Sequence, residues 1–414
     1  MYELCEIVVQ FQQDTLSYGS VNYYFRFLFK MFDCLPPELL ELVMEEVWER
    51  PDRENLAYSC NSIYQVMKQF LWQHLELETG YLYKKKNILK NKHLIKDLRL
   101  RFHRNDTQNL SDLLRMIFDG KSVNLSDLFL EGDIPDDIFS LLMSKSMQLR
   151  RLDIHIYTEG FPWDQKDLLF PSTLKTLNIV ESSVTDTFLE SIINANVETL
   201  EDLDISQCDA LTPKGYLPIS NLVHLKCLTL IEDIPNRTLD ISFISRLKSL
   251  EYLNILRLQI VEDSHIGIWK CVPNLKELRL RHVDGINDIG DISRLQNLRY
   301  FVLTSMEDDS KSFAENITSL KNLRTLDINS SLYSQYRCTN FDILSGFKDM
   351  NSLRKIKMWC YPRDICLFYK IITKLCEVER SSRWNEEILP KWSVAIQNNE
   401  CVLRRICTVC KHCQ

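Results

Sequence analysis

The sequence predicts an α/β chain: a short all-helical module followed by a repeat solenoid, with a parallel sheet on its concave face and helices on its convex face. Three observations predict it. A short apolar motif returns at nearly constant intervals through the middle of the chain. The stretches between its copies carry helix-like apolar spacing, and residues 33–77 hold two or three short amphipathic helices.

The motif is an aliphatic residue, two of any kind, an aliphatic, one of any kind, and another aliphatic. It begins at Ile95, Leu125, Leu149, Leu174, Leu200, Leu225, Leu250, Leu275, Leu298 (with Phe301 in its middle slot), Leu323 and Leu353. A chain this apolar yields roughly ten such hits by chance, so the motif alone is weak. Its spacing is the signal: the gaps are 30, 24, 25, 26, 25, 25, 25, 23, 25 and 30 residues. Each hit reads as a short strand whose second and third aliphatics share one face, because strand side chains alternate. Between hits, Phe188, Ile192 and Ile193, and likewise Phe243, Ile244 and Leu247, recur at helical spacing. Neither element buries its apolar face alone, and stacking successive units buries both in one continuous core.

These residues resemble the leucine-rich-repeat family. One unit approaches its cysteine-containing subtype, with Leu200, Leu203, Ile205, Cys208, Leu211, Thr212 and Gly215, and the fragment from Gly285 to Gly290 echoes the same turn. The positions matching Cys208 elsewhere hold Ser182, Leu258 or Val283, so most units are divergent. The resemblance covers about residues 90–360 and implies a curved, non-enzymatic binding scaffold.

Composition narrows the function. The chain has 414 residues, a net charge of -7 and only 10 Gly and 12 Pro, so it offers neither a basic field for nucleic acid nor long linkers. Its beginning lacks the basic and apolar regions of a signal peptide, and no stretch of 18 or more apolar residues is present. The 14 cysteines then read as reduced thiols of a cytoplasmic or nuclear protein.

Residues 33–78 form the helical module. Pro36 and Pro37 followed by Glu38 suit a helix start, and Leu39, Leu40, Val43 and Val47 recur at helical spacing. Pro51 breaks that helix, and a second carries Leu56, Cys60, Ile63, Tyr64 and Met67. From pattern alone this is a cap for the first repeat. Leu35-Pro36 with Glu38-Leu39-Leu40, the stretch Asn55 to Cys60, and Trp72 resemble the F-box motif, which is familiar directly before leucine-rich repeats. The resemblance implies that Leu35, Pro36, Leu39, Leu40, Leu56, Cys60 and Ile63 bury against a Skp-family adaptor of a cullin–RING ubiquitin ligase. The chain would then be the substrate-recognition subunit. Two alternatives stand: an adaptor-bound scaffold that degrades nothing, and a repeat protein whose N-terminal helices are only a cap.

Domain organisation follows: an N-terminal extension of unknown role at 1–32, an F-box at 33–78, about eleven repeats at 79–360, and a C-terminal cap with a Cys-rich tail at 361–414. Met31 offers an alternative start, and the helical-looking stretch Ile365 to Val378 would cover the last repeat. In the tail, Cys407, Cys410 and Cys413 are spaced as in zinc knuckles, but only one such cluster exists. Lipidation beside Arg404, Arg405 and Lys411, or an inert tail, are the other readings.

Outward positions on the predicted sheet include Arg99, Arg101, Asp127, Glu131, Asp153, Asp202, Asp204, Asn254, Leu256, Lys355, Lys357 and Trp359. Tyr252, Arg279, Arg281 and Tyr300 fall on three consecutive strands, and aromatic and arginine side chains are favoured anchors at interfaces. They are the expected substrate contact, for a protein segment that is acidic or phosphorylated. Glu277 on the same face can pair with one of the arginines. The eight histidines have no partnered nucleophile motif, and no phosphate loop is present, so neither an enzyme nor a cofactor or metal site is expected.

Overall fold

The structure, a computed structural model, describes residues 68 and 72–80, most of 85–329 and of 350–359, and 391–397 and 400–406. The seven adaptor residues expected between Leu35 and Ile63, the extension 1–32, the stretch Ile365 to Val378 and Cys407 to Cys413 lie outside the described residues. The chain divides into two compact units, 1–129 and 130–414.

In the first unit, β1 (His74–Glu78) and β2 (Asp97–Phe102) pair in parallel, with Leu75 beside Leu98 and Leu77 beside Leu100. Residues 74–78 were expected to close the helical module; they form a strand instead. Their sequence HLELE alternates polar and apolar, and Leu75 and Leu77 are buried. Helix α1 (Lys85–Asn91) leads into a short 3-10 turn, and helix α2 (Thr107–Phe118) buries Leu110, Leu113, Leu114 and Ile117 at helical spacing. Lys92 Nζ donates to the carbonyls of Met116, Ile117 and Asp119 at 3.1, 2.9 and 3.0 Å. It thereby satisfies three acceptors at the negative end of α2. Strand β3 (Asp127–Gly132) starts where the Ser126 and Asp127 N–H groups both donate to the Lys96 carbonyl.

The second unit is an α/β array. Its main sheet runs through β4 (Arg151–His155), β5 (Thr176–Val180), β6 (Asp202–Ser206) and β7 (Cys227–Ile231). It continues past β8 (Thr238–Leu239) to β9 (Tyr252–Leu256), past β10 (Gln259–Ile260) to β11 (Glu277–Arg281), then β12 (Tyr300–Thr304), β13 (Thr325–Asn329) and β14 (Lys355–Trp359). All eight neighbouring pairs in this run of nine strands are parallel, and β8 pairs with β10 separately. Arg151, Thr176, Asp202, Cys227, Tyr252, Glu277, Tyr300, Thr325 and Lys355 face one another in register, so the sequence gaps from 23 to 30 residues are the steps between strands. With the pair in the first unit, eleven strands follow this parallel pattern, which is compatible with a repeat solenoid.

Connections between strands vary more than the strands do. Helices α3 (Asp136–Lys145), α4 (Asp186–Ala195), α5 (Ile268–Cys271) and α6 (Lys311–Thr318) fill some of them, and 3-10 turns such as Pro213–Asn221 and Ser242–Arg246 fill others. The Phe243–Leu247 segment, read as helical, is one of these 3-10 turns, too short for two α turns. Thr185 caps α4 by accepting from the Phe188 N–H at 3.3 Å. At the other end, the buried Asn196 accepts from the Leu174 N–H and donates to the Pro171 and Ile192 carbonyls, each at 2.9 Å. One amide side chain thus ties the end of α4 to the loop of the preceding unit.

The cysteine-type motif has a local explanation. Cys208 lies in the core, where its S–H is 3.5 Å from both the Ile179 and Ser206 carbonyls. Ser182, one unit earlier, does the same work with oxygen: it accepts from the Ile156 N–H at 2.9 Å and donates to the Val180 carbonyl at 2.8 Å. A small polar side chain here satisfies backbone groups where the chain leaves the sheet. Gly215 is required by contact, since a Cβ there would stand 2.2 Å from Asp186 Oδ1. That carboxylate accepts from the Thr212 N–H and hydroxyl, at 2.8 and 2.5 Å.

Beyond β14 the pattern changes. Strands β15 (Lys391–Gln397) and β16 (Glu400–Ile406) pair antiparallel, and β16 pairs antiparallel with β14, placing Cys401 opposite Met358.

Candidate protein-interaction face

Strand alternation puts Leu253, Leu278, Leu280 and Phe301 in the core and turns their neighbours outward. Of the four residues expected to touch a substrate, three meet. Arg279 lies between two aromatic rings, its guanidinium carbon 5.5 Å from the Tyr252 ring centre and 5.1 Å from that of Tyr300. Glu277, in line with both tyrosines, accepts from Arg279 Nε at 2.6 Å and Nη2 at 2.5 Å. The result is a half-buried cation held by a carboxylate and two π faces, worth more than an exposed ion pair. Arg281, at the next outward position of β11, has no ion-pair partner among the described residues.

The middle of this face is less open than alternation predicts. Val302, outward on β12, is only 1% exposed, and Asn254, beside Arg279, keeps its Oδ1 buried with no hydrogen bond. Toward β4 the face becomes acidic. Asp153 accepts from Arg151 Nε at 3.0 Å and Asn178 Nδ2 at 2.6 Å, while Asp204 accepts from the Ser206 hydroxyl. Burial pushes the Asp202 and Asp204 carboxyls above the ordinary aspartate range. Lys355 and Lys357 stand on β14, at the opposite end of the sheet.

Two arrangements had no place in the sequence reading. The first is a buried trio. Glu232 is 2% exposed and accepts from the Tyr216 hydroxyl and, at 3.3 Å, from Arg237 Nη1. Arg237 also donates to the Cys208 and Asp209 carbonyls, at 3.3 and 2.7 Å. Burial raises the Glu232 pKa against the opposing pull of Tyr216 and Arg237, raises that of Tyr216, and pushes the Cys208 thiol up to about 12. Such a thiol is inert as a nucleophile at neutral pH. The trio joins residues from separate units, so only the stack reveals it.

The second is a charge ladder one position before each of β5, β6, β7, β9 and β11. Glu201 takes Lys175 Nζ at 2.9 Å and Lys226 Nζ at 2.5 Å, and Glu251 takes Lys276 Nζ at 2.6 Å. Its signal was legible: Lys175, Glu201, Lys226, Glu251 and Lys276 alternate in sign at the repeat period. Hydrogen bonds from Lys226 and then Lys175 hold the Glu201 carboxyl at about 2, against an ordinary 4.5. Its folded pKa is depressed, so its contribution is present above pH 4.5 and is lost as pH falls toward 2. Glu201→Gln should therefore flatten the acid limb of the stability profile slightly, and more so at low salt, because the pair is exposed. Urea midpoints measured from pH 2 to 7 test this; an unchanged acid limb would show that the ladder does not stabilise the fold.

No family model matches the chain, and no curated protein gives a significant match. Fold and face together define an α/β array with a long parallel sheet and an outward surface of aromatic and charged side chains. Among the described residues, no helix is long and apolar enough to cross a membrane.

Proposed function

We propose that this chain is the substrate-recognition subunit of a Skp–cullin–F-box ubiquitin ligase, in the cytoplasm or nucleus. The observation that carries the proposal is the constant step between strands, which builds a long outward face directly after a segment resembling the F-box. Parallel repeat arrays of this kind serve as binding surfaces. The repeats, read as leucine-rich, hold a protein target, and Leu35, Pro36, Leu39, Leu40, Leu56, Cys60 and Ile63 dock on the adaptor. The mechanism is proximity: target and ligase share one chain, which raises their effective concentration. The chain itself is not an enzyme.

A second reading has one observation in its favour. Trp72, which the F-box resemblance uses, is buried next to β1, and Leu75 and Leu77 belong to that strand. The preceding helices would then be a cap. Co-purification separates the readings. The wild-type chain should bring down a Skp-family adaptor and a cullin, and Leu35→Ala with Pro36→Ala should weaken adaptor capture about tenfold or more. Adaptor without cullin would favour a non-degradative scaffold. No adaptor, or equal capture by the double variant, would leave the cap reading standing.

A further inference from the structure

The charge ladder does not end at Lys276. The next positions of the same row are Arg299, Arg324 and Arg354, so alternation stops and one sign repeats. Backbone hydrogen bonds keep them in the row: the Arg299 carbonyl accepts from the Arg324 and Thr325 N–H groups at 2.8 and 3.0 Å, and the Arg324 carbonyl accepts from Arg354 and Lys355 at 2.8 and 3.0 Å.

The neutralised half of the row calibrates the other half. There, side chains on adjacent strands meet at 2.5 to 2.9 Å, so neighbours in this row reach one another. Arg299 and Arg324 have the same adjacency with like charge. Both are exposed, and neither has an ion-pair partner among the described residues. The nearby Glu277 is committed to Arg279. Like charges at strand spacing repel, and an anion lying across both relieves the repulsion. Guanidinium forks match carboxylates two hydrogen bonds at a time, which a lysine row would not do.

We infer that Arg299 and Arg324 form a docking site for an acidic run in a partner protein. The one strand step of ~4.8 Å between them is covered by about two extended residues. A run of three or four Asp or Glu residues laid across the strand ends therefore meets both arginines. The net charge of -7 disfavours a long nucleic acid, whose phosphates would meet the acidic positions on β4 and β6, whereas a short acidic run meets only the local charge. The inference rests on the repeats being a protein-binding scaffold and is independent of the adaptor.

The test uses the purified full chain without adaptor and a fluorescent peptide of four glutamates flanked by glycine and serine, read by anisotropy. The wild type should bind, and Arg299→Glu with Arg324→Glu should weaken binding roughly tenfold or more, with wild-type binding falling as salt rises. Arg299→Gln with Arg324→Gln should give a smaller loss in the same direction, and it covers failure of the charge-reversed variant to fold. Lys214→Glu with Lys248→Glu removes the same charge at exposed positions elsewhere and should change affinity less than about twofold. No binding by the wild type, or equal losses in both charge-reversed variants, would overturn the site. Tighter binding of a single-stranded oligonucleotide through the same arginines would overturn the assignment of a protein partner. The assay contains no adaptor, so its failure leaves the ligase reading to its own experiment.

Discussion

Leu253→Asp is expected to destabilise the second unit by several kcal/mol. Leu253 is fully buried in β9, flanked in register by Leu228 and Leu278. A carboxylate there has leucines for neighbours, and its desolvation costs about 4 kcal/mol or more. That is a large part of the ~5–15 kcal/mol that holds a typical domain. Asn254→Asp, one residue on, turns to the other face and stands beside Arg279. Its expected effect is smaller than that of Leu253→Asp, because the new charge, although its oxygen replaces a buried Oδ1, stands in register with the Arg279 cation. Urea unfolding followed by circular dichroism separates the two variants. Equal losses would mean that the faces of β9 are exchanged.

Arg237→Met is expected to cost about 3 kcal/mol at neutral pH, the low end of the range for breaking a buried pair, because Arg237 keeps some exposure. It strands Glu232 in the core with Tyr216 as its remaining side-chain partner and frees the Cys208 and Asp209 carbonyls. The pH dependence has a definite sign. The folded pKa of Glu232 is already raised above 4.5, and loss of the cation raises it further. A raised acid favours folding below its unfolded pKa, and that advantage fades as pH rises through the folded value. The variant should therefore be closest to wild type at and below pH 4.5 and fall further behind it as pH rises. Glu232→Gln added to Arg237→Met should recover part of the loss, since a neutral amide has no charge to desolvate. A pH-independent loss would show that Arg237 acts through packing alone.

Much of this fold was legible because one physical constraint repeats. Every strand must present two aliphatics to the same core, so motif spacing in sequence equals strand spacing in register, including the short step from Glu277 to Tyr300 and the long one from Thr325 to Lys355. Strand β1 escaped because Trp72 fills the first slot of its motif, ahead of Leu75 and Leu77, and an aliphatic template passes over it. The hairpin of β15 and β16 escaped because it follows no repeat. On the face, the pairing of Arg279 with Glu277 was legible, being local along one strand. The trio of Tyr216, Glu232 and Arg237 was not, because its members lie 16 and 5 residues apart in chain segments of no regular pattern.

The antiparallel hairpin has a consequence for how such an array can lengthen. A parallel stack grows by duplicating a unit, and each copy needs the free edge of the strand before it. At β14 that edge is occupied by β16 running in the opposite direction. A unit duplicated after β14 would have to displace the hairpin and forfeit its pairing. A copy inserted between two interior strands needs only to repeat the step already made by its neighbours. In the ancestry of this chain, new units are therefore expected to arise from within the row, behind a fixed terminator.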